Sequence, residues 1–336
     1  MLALVTGSTG FLGRHLVERL VAGGHRVRAF VYGSNKNLTT RPGIELIPGD
    51  ITSSASIVAA AVDVDVIFHT AALVTNWAPW SRFLATTVRG TENVLLAASQ
   101  AHVKRVVHIS TVRVYDDRFC RLHRTVTEEA PLGRKGFRHF GHYARAKVLA
   151  EKAVWRVSGR LPVTVMRPAW IYGPGDEMIL PAVLRFLLSP AARWPSRTDP
   201  CADPIYVTDV ADCAIAAALA AAAVGQAYHV SPVSQISVRE FLGGFCQALD
   251  IKAPDRAIPY LVAALAARFS EWWAFLTRKR SAPEFNRAGL AILTQDVRHS
   301  PAKAERELDW RPKVALSEGV LSTAAWLKRL IPIRRD

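Results

Sequence analysis

The sequence predicts an α/β protein with a doubly wound parallel sheet and a smaller, mainly helical C-terminal region. Short apolar runs alternate with segments of helical spacing over residues 2–166. A glycine-rich turn joins the first apolar run to the first helical segment. The chain has 336 residues, of which 50% are hydrophobic, so it can form one large core or a main domain with a smaller one attached.

The first elements predict a strand–helix–strand unit. Residues 2–5 form a short apolar run that ends in the glycine-rich turn. Apolar side chains then recur at helical spacing over residues 11–21, and Gly23 and Gly24 end that helix. Residues 27–31 form the next strand, and two strands joined through a helix in this way lie parallel in one sheet.

The same alternation continues along the chain. Further strands are predicted over residues 44–47, 64–68, 105–109 and 163–166, and helices over residues 54–61, 81–101 and 143–158. A polar, basic loop is expected after residue 109. Beyond Pro168 the rhythm weakens: strands are predicted over residues 205–207 and 228–230 around a helix over residues 209–223, and helical spacing prevails from Ser237.

The glycine-rich turn, residues 6–13, reads Thr-Gly-Ser-Thr-Gly-Phe-Leu-Gly. It follows a strand and opens a helix, which is the context in which such a turn binds a dinucleotide pyrophosphate at the helix N terminus. The predicted phosphate contacts are Gly7, Thr9, Gly10, Phe11, Leu12 and Gly13. We therefore expect a Rossmann-type NAD(P)-binding domain over residues 1–170, with residues 205–232 returning to it, and a substrate-binding region over residues 171–204 and 233–330.

The end of the second strand indicates which dinucleotide is bound. An acidic residue there accepts a hydrogen bond from the ribose 2′-hydroxyl of NAD and repels the 2′-phosphate of NADP. Residues 31–36 contain no acid, which favours NADP(H) over NAD(H). The residues placed to meet the adenosine half are Tyr32, Ser34, Lys36, Arg41, Asp50 and Ile51.

A tyrosine and a lysine carry the predicted chemistry. Tyr143 and Lys147 are four residues apart on a predicted helix, so both side chains lie on one face. The ammonium is expected to lower the pKa of the phenol from about 10, so that the phenol can exchange a proton with a substrate hydroxyl. Thr111, at the carboxyl end of the fifth strand, is expected to hold the reacting oxygen, with Ser110 as its competitor.

These motifs resemble the extended short-chain dehydrogenase/reductase family, also called the NAD-dependent epimerase/dehydratase superfamily, and within it the 3β-hydroxysteroid dehydrogenase-like branch. The resemblance covers nearly the whole chain, in the family's order. Its segments are residues 6–13, 49–50, 69–72, 90–94, 110–111, 143–147, 167–168, 172–176 and 206–210.

The resemblance implies roles for individual residues. Thr111, Tyr143 and Lys147 would be catalytic, and Lys147 would also bond the nicotinamide ribose. Further cofactor contacts implied are Thr70, Ala71, Ala72, Ser110 and Pro168. The family also implies a homodimer formed through the helices over residues 81–101 and 143–158.

The sequence departs from sugar-nucleotide members of the family at three places, which narrows the range of expected substrates. Those members commonly carry an Asn shortly after the Arg-Pro of the sixth strand and an Arg before the Tyr-Val-x-Asp-Val segment. Here the matching stretches are residues 169–171 and 201–204, which contain neither, and Thr87 replaces a family Asn. The loss of these groups argues against a nucleotide sugar.

The C-terminal region points to a hydrophobic substrate. Residues 258–277 are apolar and aromatic, resemble steroid dehydrogenase-like and 2-alkyl-3-oxoalkanoate reductase-like members, and are followed by the basic residues 278–280. Three interpretations remain open: a lid over the pocket, a helix over residues 258–280 in peripheral contact with a membrane, and core or dimer packing. The expected substrate contacts are Val74, Trp77, Thr111, Arg113 and Trp170.

Charge and composition limit which partners, metals and cellular settings are expected. The net charge of +15 is scattered in short clusters rather than gathered in a stripe, which argues against a nucleic-acid partner. The four cysteines have no metal-ligand spacing, so no metal is expected, and they fit a reduced, cytoplasmic setting. No uncharged apolar run reaches the length of a membrane span.

The sequence thus predicts hydride transfer between a nicotinamide and a secondary alcohol or ketone on a hydrophobic substrate, such as a sterol-like, β-hydroxyacyl, β-ketoacyl or other lipid or polyketide compound. One alternative is a nucleotide-sugar epimerase or dehydratase that retains its cofactor. The other is a non-catalytic regulator that binds NADP(H), although the intact Tyr-x-x-x-Lys motif argues against it.

Overall fold

The computed structural model describes residues 1–33, 38, 40–75, 77–123, 125–133, 141–189, 192–195, 198–279 and 281–330. The strands are β1 (Leu2–Thr6), β2 (Arg26–Val31), β3 (Ile44–Pro48), β4 (Val66–His69), β5 (Arg105–Ile109), β6 (Thr125–Val126), β7 (Val163–Pro168), β8 (Trp170–Tyr172), β9 (Cys201–Ala202), β10 (Pro204–Tyr206), β11 (Gln226–Val230), β12 (Ile236–Ser237) and β13 (Arg298–His299). The helices are α1 (Phe11–Ala22), α2 (Ser54–Ala60), α3 (Trp80–Phe83), α4 (Gly90–Gln100), α5 (Asp117–Leu122), α6 (Gly141–Val157), α7 (Ile179–Leu188), α8 (Val207–Leu219), α9 (Val238–Leu249), α10 (Tyr260–Leu276), α11 (Arg287–Thr294), α12 (Ala302–Leu308) and α13 (Leu316–Leu330).

Seven strands form one parallel sheet in the order β3-β2-β1-β4-β5-β7-β11. The chain order reverses between β1 and β4, and in open α/β sheets such a reversal opens a crevice beyond the carboxyl ends of the strands. Thr6 at the end of β1 is in register with His69 at the end of β4. The predicted doubly wound fold is confirmed, and β11 makes the late segment part of the main sheet.

Helices cover both faces of the sheet, because its central strands carry apolar side chains on both sides. On one face α1 and α8 pack through side chains such as Leu16 and Val210. On the other face α2, α4 and α6 pack through side chains such as Ile57, Val94 and Val154. Burial on both faces fixes the sheet as a rigid base for the crevice at its edge.

The C-terminal region has its own apolar cluster. Aromatic side chains of β8 and α9 meet edge to face: Trp170 with Phe241, and Tyr172 with both Phe241 and Phe245. Leu184 of α7 joins the same cluster. This region therefore packs as a second core that adjoins the sheet domain on the side of the crevice.

Two segments differ from the sequence prediction. The helix predicted over residues 81–101 is interrupted by a π-helical stretch, Leu84–Arg89, between α3 and α4. In that stretch Thr87 Oγ1 accepts a hydrogen bond from Leu73 N at 3.0 Å, which ties the helix to the loop after β4. The loop predicted after residue 109 contains α5 and β6, since Asp116 caps α5 through its side chain.

The helices of the described residues are all too short or too polar to cross a lipid bilayer. The dimer contact expected through residues 81–101 and 143–158 stays a prediction.

Candidate active site

A cleft of about 530 Å³ lies beyond the carboxyl ends of β1, β4, β5 and β7. Its lining includes most of the residues that the sequence singles out, which come from widely separated parts of the chain. Those that line it are Gly7, Thr9, Gly10, Phe11, Leu12, Gly13, Thr70, Ala71, Ala72, Val74, Ser110, Thr111, Arg113, Tyr143, Lys147, Pro168 and Trp170. The glycine-rich turn and the Tyr-x-x-x-Lys helix therefore face one space.

The glycine-rich turn is packed so tightly that side chains are excluded at two of its positions. Gly7 has φ +69°, and a Cβ there would lie 2.7 Å from Ala71 N. A Cβ at Gly13 would lie 2.1 Å from the Gly7 carbonyl oxygen, so helix α1 can approach β1 this closely only without one. A Cβ at Gly10 would approach only that same carbonyl oxygen, at 3.2 Å.

The N terminus of α1 is open to an anion. No side chain caps it, and its first turn carries no acidic residue. Its first amides and the positive end of its dipole are therefore available to a ligand, and Gly10 presents bare backbone to the cleft. The residues present fit the pyrophosphate of a dinucleotide.

Thr111 and Tyr143 meet at the other end of the cleft. Thr111 is the second residue after β5, and it lines the cleft together with Tyr143. Burial raises the pKa of Tyr143, while the neighbouring Thr111 hydroxyl and the positive charge of Arg113 act in the opposite direction. Burial lowers the pKa of Arg113 to about 10, so the guanidinium is still protonated at neutral pH. A protonated phenol thus lies beside a hydroxyl and a cation.

Lys147 lies one helical turn beyond Tyr143 on α6 and is almost fully buried. Its ammonium donates a hydrogen bond to the Ile109 carbonyl oxygen at 2.7 Å. Burial lowers its pKa to about 8, although the negative charge of Glu151 opposes the change. In the structure the cation that lowers the pKa of Tyr143 is Arg113, whereas the sequence spacing assigns this effect to Lys147.

The hydroxyl of Ser110 binds Glu151 rather than the tyrosine of the cleft. Ser110 Oγ donates to Glu151 Oε2 at 2.5 Å, and Glu151 has no exposed surface. The same carboxylate accepts hydrogen bonds from Arg167 Nη2 at 2.5 Å and from Trp155 Nε1 at 3.0 Å. Ser110 also lines the cleft, but its hydroxyl is engaged by Glu151, which leaves Thr111 as the hydroxyl beside the tyrosine.

Comparison with known proteins places the chain in a family. The profile described as "NAD dependent epimerase/dehydratase family" matches residues 3–231. The chain belongs to this family. The match begins at the second residue of β1 and stops one residue after β11, so the glycine-rich turn, Tyr143 and Lys147 lie inside it.

Individual relatives of the family resemble the chain over most of its length. A 4-hydroxy-2-methyl-3-oxo-4-farnesyl-3,4-dihydroquinoline-1-oxide ketoreductase from Stigmatella aurantiaca is 31% identical over 95% of both chains. A 3 beta-hydroxysteroid dehydrogenase/Delta 5→4-isomerase from Mycobacterium tuberculosis is 30% identical over 92% of this chain and 85% of its own. Among solved structures, that of gox2253 superposes with a TM-score of 0.78 at 26% identity over 98% of both chains.

A buried polar network lies behind the cleft and was not predicted from the sequence. Arg167 donates to Glu151 and, through Nη1, to the Tyr115 hydroxyl at 2.7 Å. The Tyr115 hydroxyl in turn meets His229 Nε2 at 2.5 Å. A signal was present, since Glu151 continues the four-residue spacing of Tyr143 and Lys147, and Arg167 belongs to the recognised Arg-Pro pair.

The substrate end of the cleft also contains residues that sequence reasoning missed. They are residues to which the sequence assigns no site role: Arg14, Asp176, Glu177, Met178, Ile179 and Ile292. Arg14 Nη2 donates to the Gly175 carbonyl oxygen at 2.5 Å, and His15 Nε2 lies 2.8 Å from the Pro174 carbonyl oxygen. These two bonds join the phosphate-binding helix to the loop that borders the substrate end.

Several predicted contacts lie outside the lining of the cleft. Tyr32 is 75% exposed at the end of β2. Ile51 is buried, and its carbonyl oxygen accepts a hydrogen bond from Asn93 Nδ2. Asp50 Oδ1 accepts a hydrogen bond from Thr52 N at 2.8 Å. The structure thus places the three predicted adenosine contacts at the edge of the sheet, away from the nicotinamide end.

Of the remaining predicted contacts, two have partners outside the cleft and two lie outside the described residues. Trp77 lies beside the cleft rather than in its lining, because its indole Nε1 donates to the Lys279 carbonyl oxygen at 2.9 Å. The Arg41 guanidinium forms an exposed ion pair with Glu18. Ser34 and Lys36 lie outside the described residues, so the preference for NADP(H) stays a prediction.

Proposed function

We propose that this family member is an oxidoreductase that interconverts a ketone and a secondary alcohol on a hydrophobic substrate, with NADP(H) as its nicotinamide cofactor. One observation carries the proposal: Thr111 and Tyr143 line the same cleft as a glycine-rich turn that fits a pyrophosphate. A proton donor and a dinucleotide site so arranged suit carbonyl reduction.

The chain's own residues supply the proton and the orientation. When bound, the nicotinamide supplies the hydride for reduction or accepts it in the reverse direction. In reduction, Tyr143 donates its proton to the carbonyl oxygen as that oxygen gains negative charge, and Thr111 donates a hydrogen bond to the same oxygen. In oxidation, the phenolate form of Tyr143 takes the hydroxyl proton, and the positive charge of Arg113 favours that form.

Lys147 and the adjacent small residues are proposed to hold the cofactor. Lys147 faces the cleft from α6, and Ala71 and Ala72 border it after β4 without side chains that fill it. We assign the lysine to the nicotinamide ribose and the alanines to the space beside it. The absence of an acid in residues 31–36 supports the choice of NADP(H).

The hydrophobic substrate is supported by the far end of the cleft. Val74, Trp170, Met178, Ile179 and Ile292 border it there. The two relatives are named for a farnesylated dihydroquinoline oxide and for a 3β-hydroxysteroid, and both names denote compounds that are largely hydrocarbon. Charged residues also border the cleft, among them Arg113, Asp176 and Glu177, and Arg113 is proposed to contact the polar end of the substrate.

The test is a panel of hydrophobic ketones, including sterol-like and 3-oxoacyl compounds, with NADPH or NADH and the absorbance of the reduced nicotinamide as readout. We expect turnover of part of the panel, and in Tyr143→Phe a loss of at least about 100-fold with cofactor affinity unchanged. Tyr206→Phe is the matched control, because that tyrosine bonds Ser322 outside the cleft.

Two results would count against the proposal. Full activity in Tyr143→Phe would remove the tyrosine from the mechanism. Conversion of a substrate without net change in the reduced nicotinamide would indicate isomerisation with a retained cofactor instead of net oxidation or reduction.

A further inference from the structure

Helix α10 exposes an unusual amount of apolar surface. Nine large side chains on it are between 46% and 78% exposed, and together they define what we call the α10 face. They are Tyr260, Leu261, Val262, Leu265, Phe269, Trp272, Trp273, Phe275 and Leu276. Scattered apolar residues are normal on protein surfaces, but a contiguous aromatic patch on one helix marks a contact site.

The helix is attached to the protein through its small residues. Only Ala263, Ala267 and Ala274 of α10 are buried, and the first two pack against Leu290 of α11. Within the described residues, the lining of the cleft includes none from α10. The large side chains thus neither close the cleft as a lid nor enter the core, and of the three interpretations left open by the sequence only an external contact uses them.

The charges around the face are positive. Arg268, Arg278 and Lys279 are exposed on or just after the helix. The acidic residue of the helix, Glu271, is neutralised by Arg287 of α11 at 2.6 Å. An occupant that covers the α10 face therefore meets apolar rings together with a net positive charge.

We propose that the α10 face docks the protein on the surface of a lipid bilayer that contains anionic lipids, with α10 lying in the plane of the interface. Leucine and phenylalanine side chains reach the acyl boundary, tryptophan and tyrosine rings are favoured at headgroup depth, and anionic headgroups attract the three cations. The helix has 17 residues and is not a membrane span, so it lies on the bilayer rather than crossing it.

Charge complementarity selects lipid over a second copy of the chain. Pairing two α10 faces would bring two sets of Arg268, Arg278 and Lys279 into one contact, where like charges repel. Anionic headgroups complement the same charges. The protein's net charge of +15 adds a general attraction to such a surface.

The α10 face lies close to the cleft, so docking would bring the active site near the bilayer. The carbonyl of Lys279, just beyond α10, accepts the hydrogen bond from Trp77, and Trp77 follows Val74 and Thr75 in the cleft lining. Helix α11, on which α10 rests, contributes Ile292 to that lining. A bilayer on the α10 face would therefore lie near the rim of the cleft, where an apolar substrate can enter from lipid.

The test is flotation of the full chain with vesicles of phosphatidylcholine alone or mixed with phosphatidylglycerol. We expect binding to the anionic vesicles, weakened by high salt. The double variant Arg268→Gln/Lys279→Gln should lower the partition coefficient by on the order of 30-fold. Lys328→Gln/Arg329→Gln on α13 removes the same charge elsewhere and should retain at least most of the binding.

A second pair of variants tests the apolar contact. Phe269→Ser/Trp272→Ser should lower partitioning by at least about tenfold, whereas Leu321→Ser, an exposed apolar residue on α13, should not. Thermal unfolding of each variant checks that the fold is retained. Absence of vesicle binding at low salt would overturn the proposal. So would a wild-type dimer in light scattering that Phe269→Ser/Trp272→Ser converts to monomer while vesicle binding stays unchanged.

Discussion

Lys147 should make the stability of the protein depend on pH in a way that a single substitution removes. Burial lowers its pKa from the ordinary 10.5 to about 8. Between these two values the unfolded chain holds a proton that the folded chain has released, so the free energy of unfolding rises with pH across this interval. Below pH 8 both states are protonated, and the folded state carries the full cost of a buried ammonium.

The size of the effect follows from the width of that interval. One pKa unit corresponds to about 1.4 kcal/mol, so the free energy of unfolding of the wild type should gain about 3 kcal/mol relative to Lys147→Met between about pH 7 and pH 11. Methionine keeps an apolar chain of similar length without a titrating group. It also leaves the Ile109 carbonyl without its donor, which adds an offset that does not vary with pH.

The measurement is urea unfolding of both proteins, without cofactor, at a series of pH values, with equal slopes required before free energies are compared. Lys328→Met, at an exposed position on α13, controls for the loss of a lysine at the surface. A difference between wild type and Lys147→Met that stays constant from neutral to alkaline pH would refute the reasoning.

Three further outcomes can be checked independently. Gly13→Ala should lower cofactor affinity at least about tenfold in a fluorescence titration, because the added Cβ would lie 2.1 Å from the Gly7 carbonyl oxygen. Gly159→Ala is the control, since a Cβ at position 159 has no atom within 4 Å. Equal cofactor affinities of the two variants would contradict the packing argument. Glu151→Gln should lower the free energy of unfolding by about 3 kcal/mol, because it leaves the buried guanidinium of Arg167 without its counter-charge. Asp212→Asn, which breaks an exposed ion pair, should lower it by at most about 1 kcal/mol. Similar losses in the two variants would contradict the role of burial. Arg113→Gln should shift the alkaline rise of the oxidation rate to higher pH, because the charge that lowers the pKa of the catalytic tyrosine is gone; an unmoved pH profile would exclude that effect.

The parts of the site that could be predicted are those in which one element fixes the geometry. A strand, a tight turn and a helix follow one another within residues 2–22, so the spacing of the glycines already determines where the phosphate site lies. Tyr143 and Lys147 share one helix, and a four-residue separation puts them on one face wherever that helix packs.

The choice between Ser110 and Thr111 could not be made in this way. The two residues adjoin just beyond the end of β5: the Ser110 hydroxyl donates to Glu151 of α6, whereas Thr111 lies in the cleft with Tyr143. Only the packing of α6 against β5 decides which hydroxyl faces the cleft. The same packing buries Lys147 against the Ile109 carbonyl, a contact that no local spacing indicates.

The orientation of α10 was equally beyond sequence reasoning. Large apolar residues cover more than half of the circumference of this helix, so periodicity alone does not show which side faces the protein. The packed side consists of alanines, of which Ala263 and Ala267 contact Leu290 of α11. Composition alone therefore could not separate a lid from an external surface.

The bonds from α1 to the 173–175 loop have a consequence for how such a protein can diversify. A Cβ at Gly175 would lie 1.6 Å from Arg14 Nη2, so a side chain at position 175 displaces an arginine of the phosphate-binding helix. A change made there to admit a new substrate is thus transmitted to the dinucleotide. Variation in specificity is more freely available at Ile292, which borders the cleft from α11 rather than from the 173–175 loop.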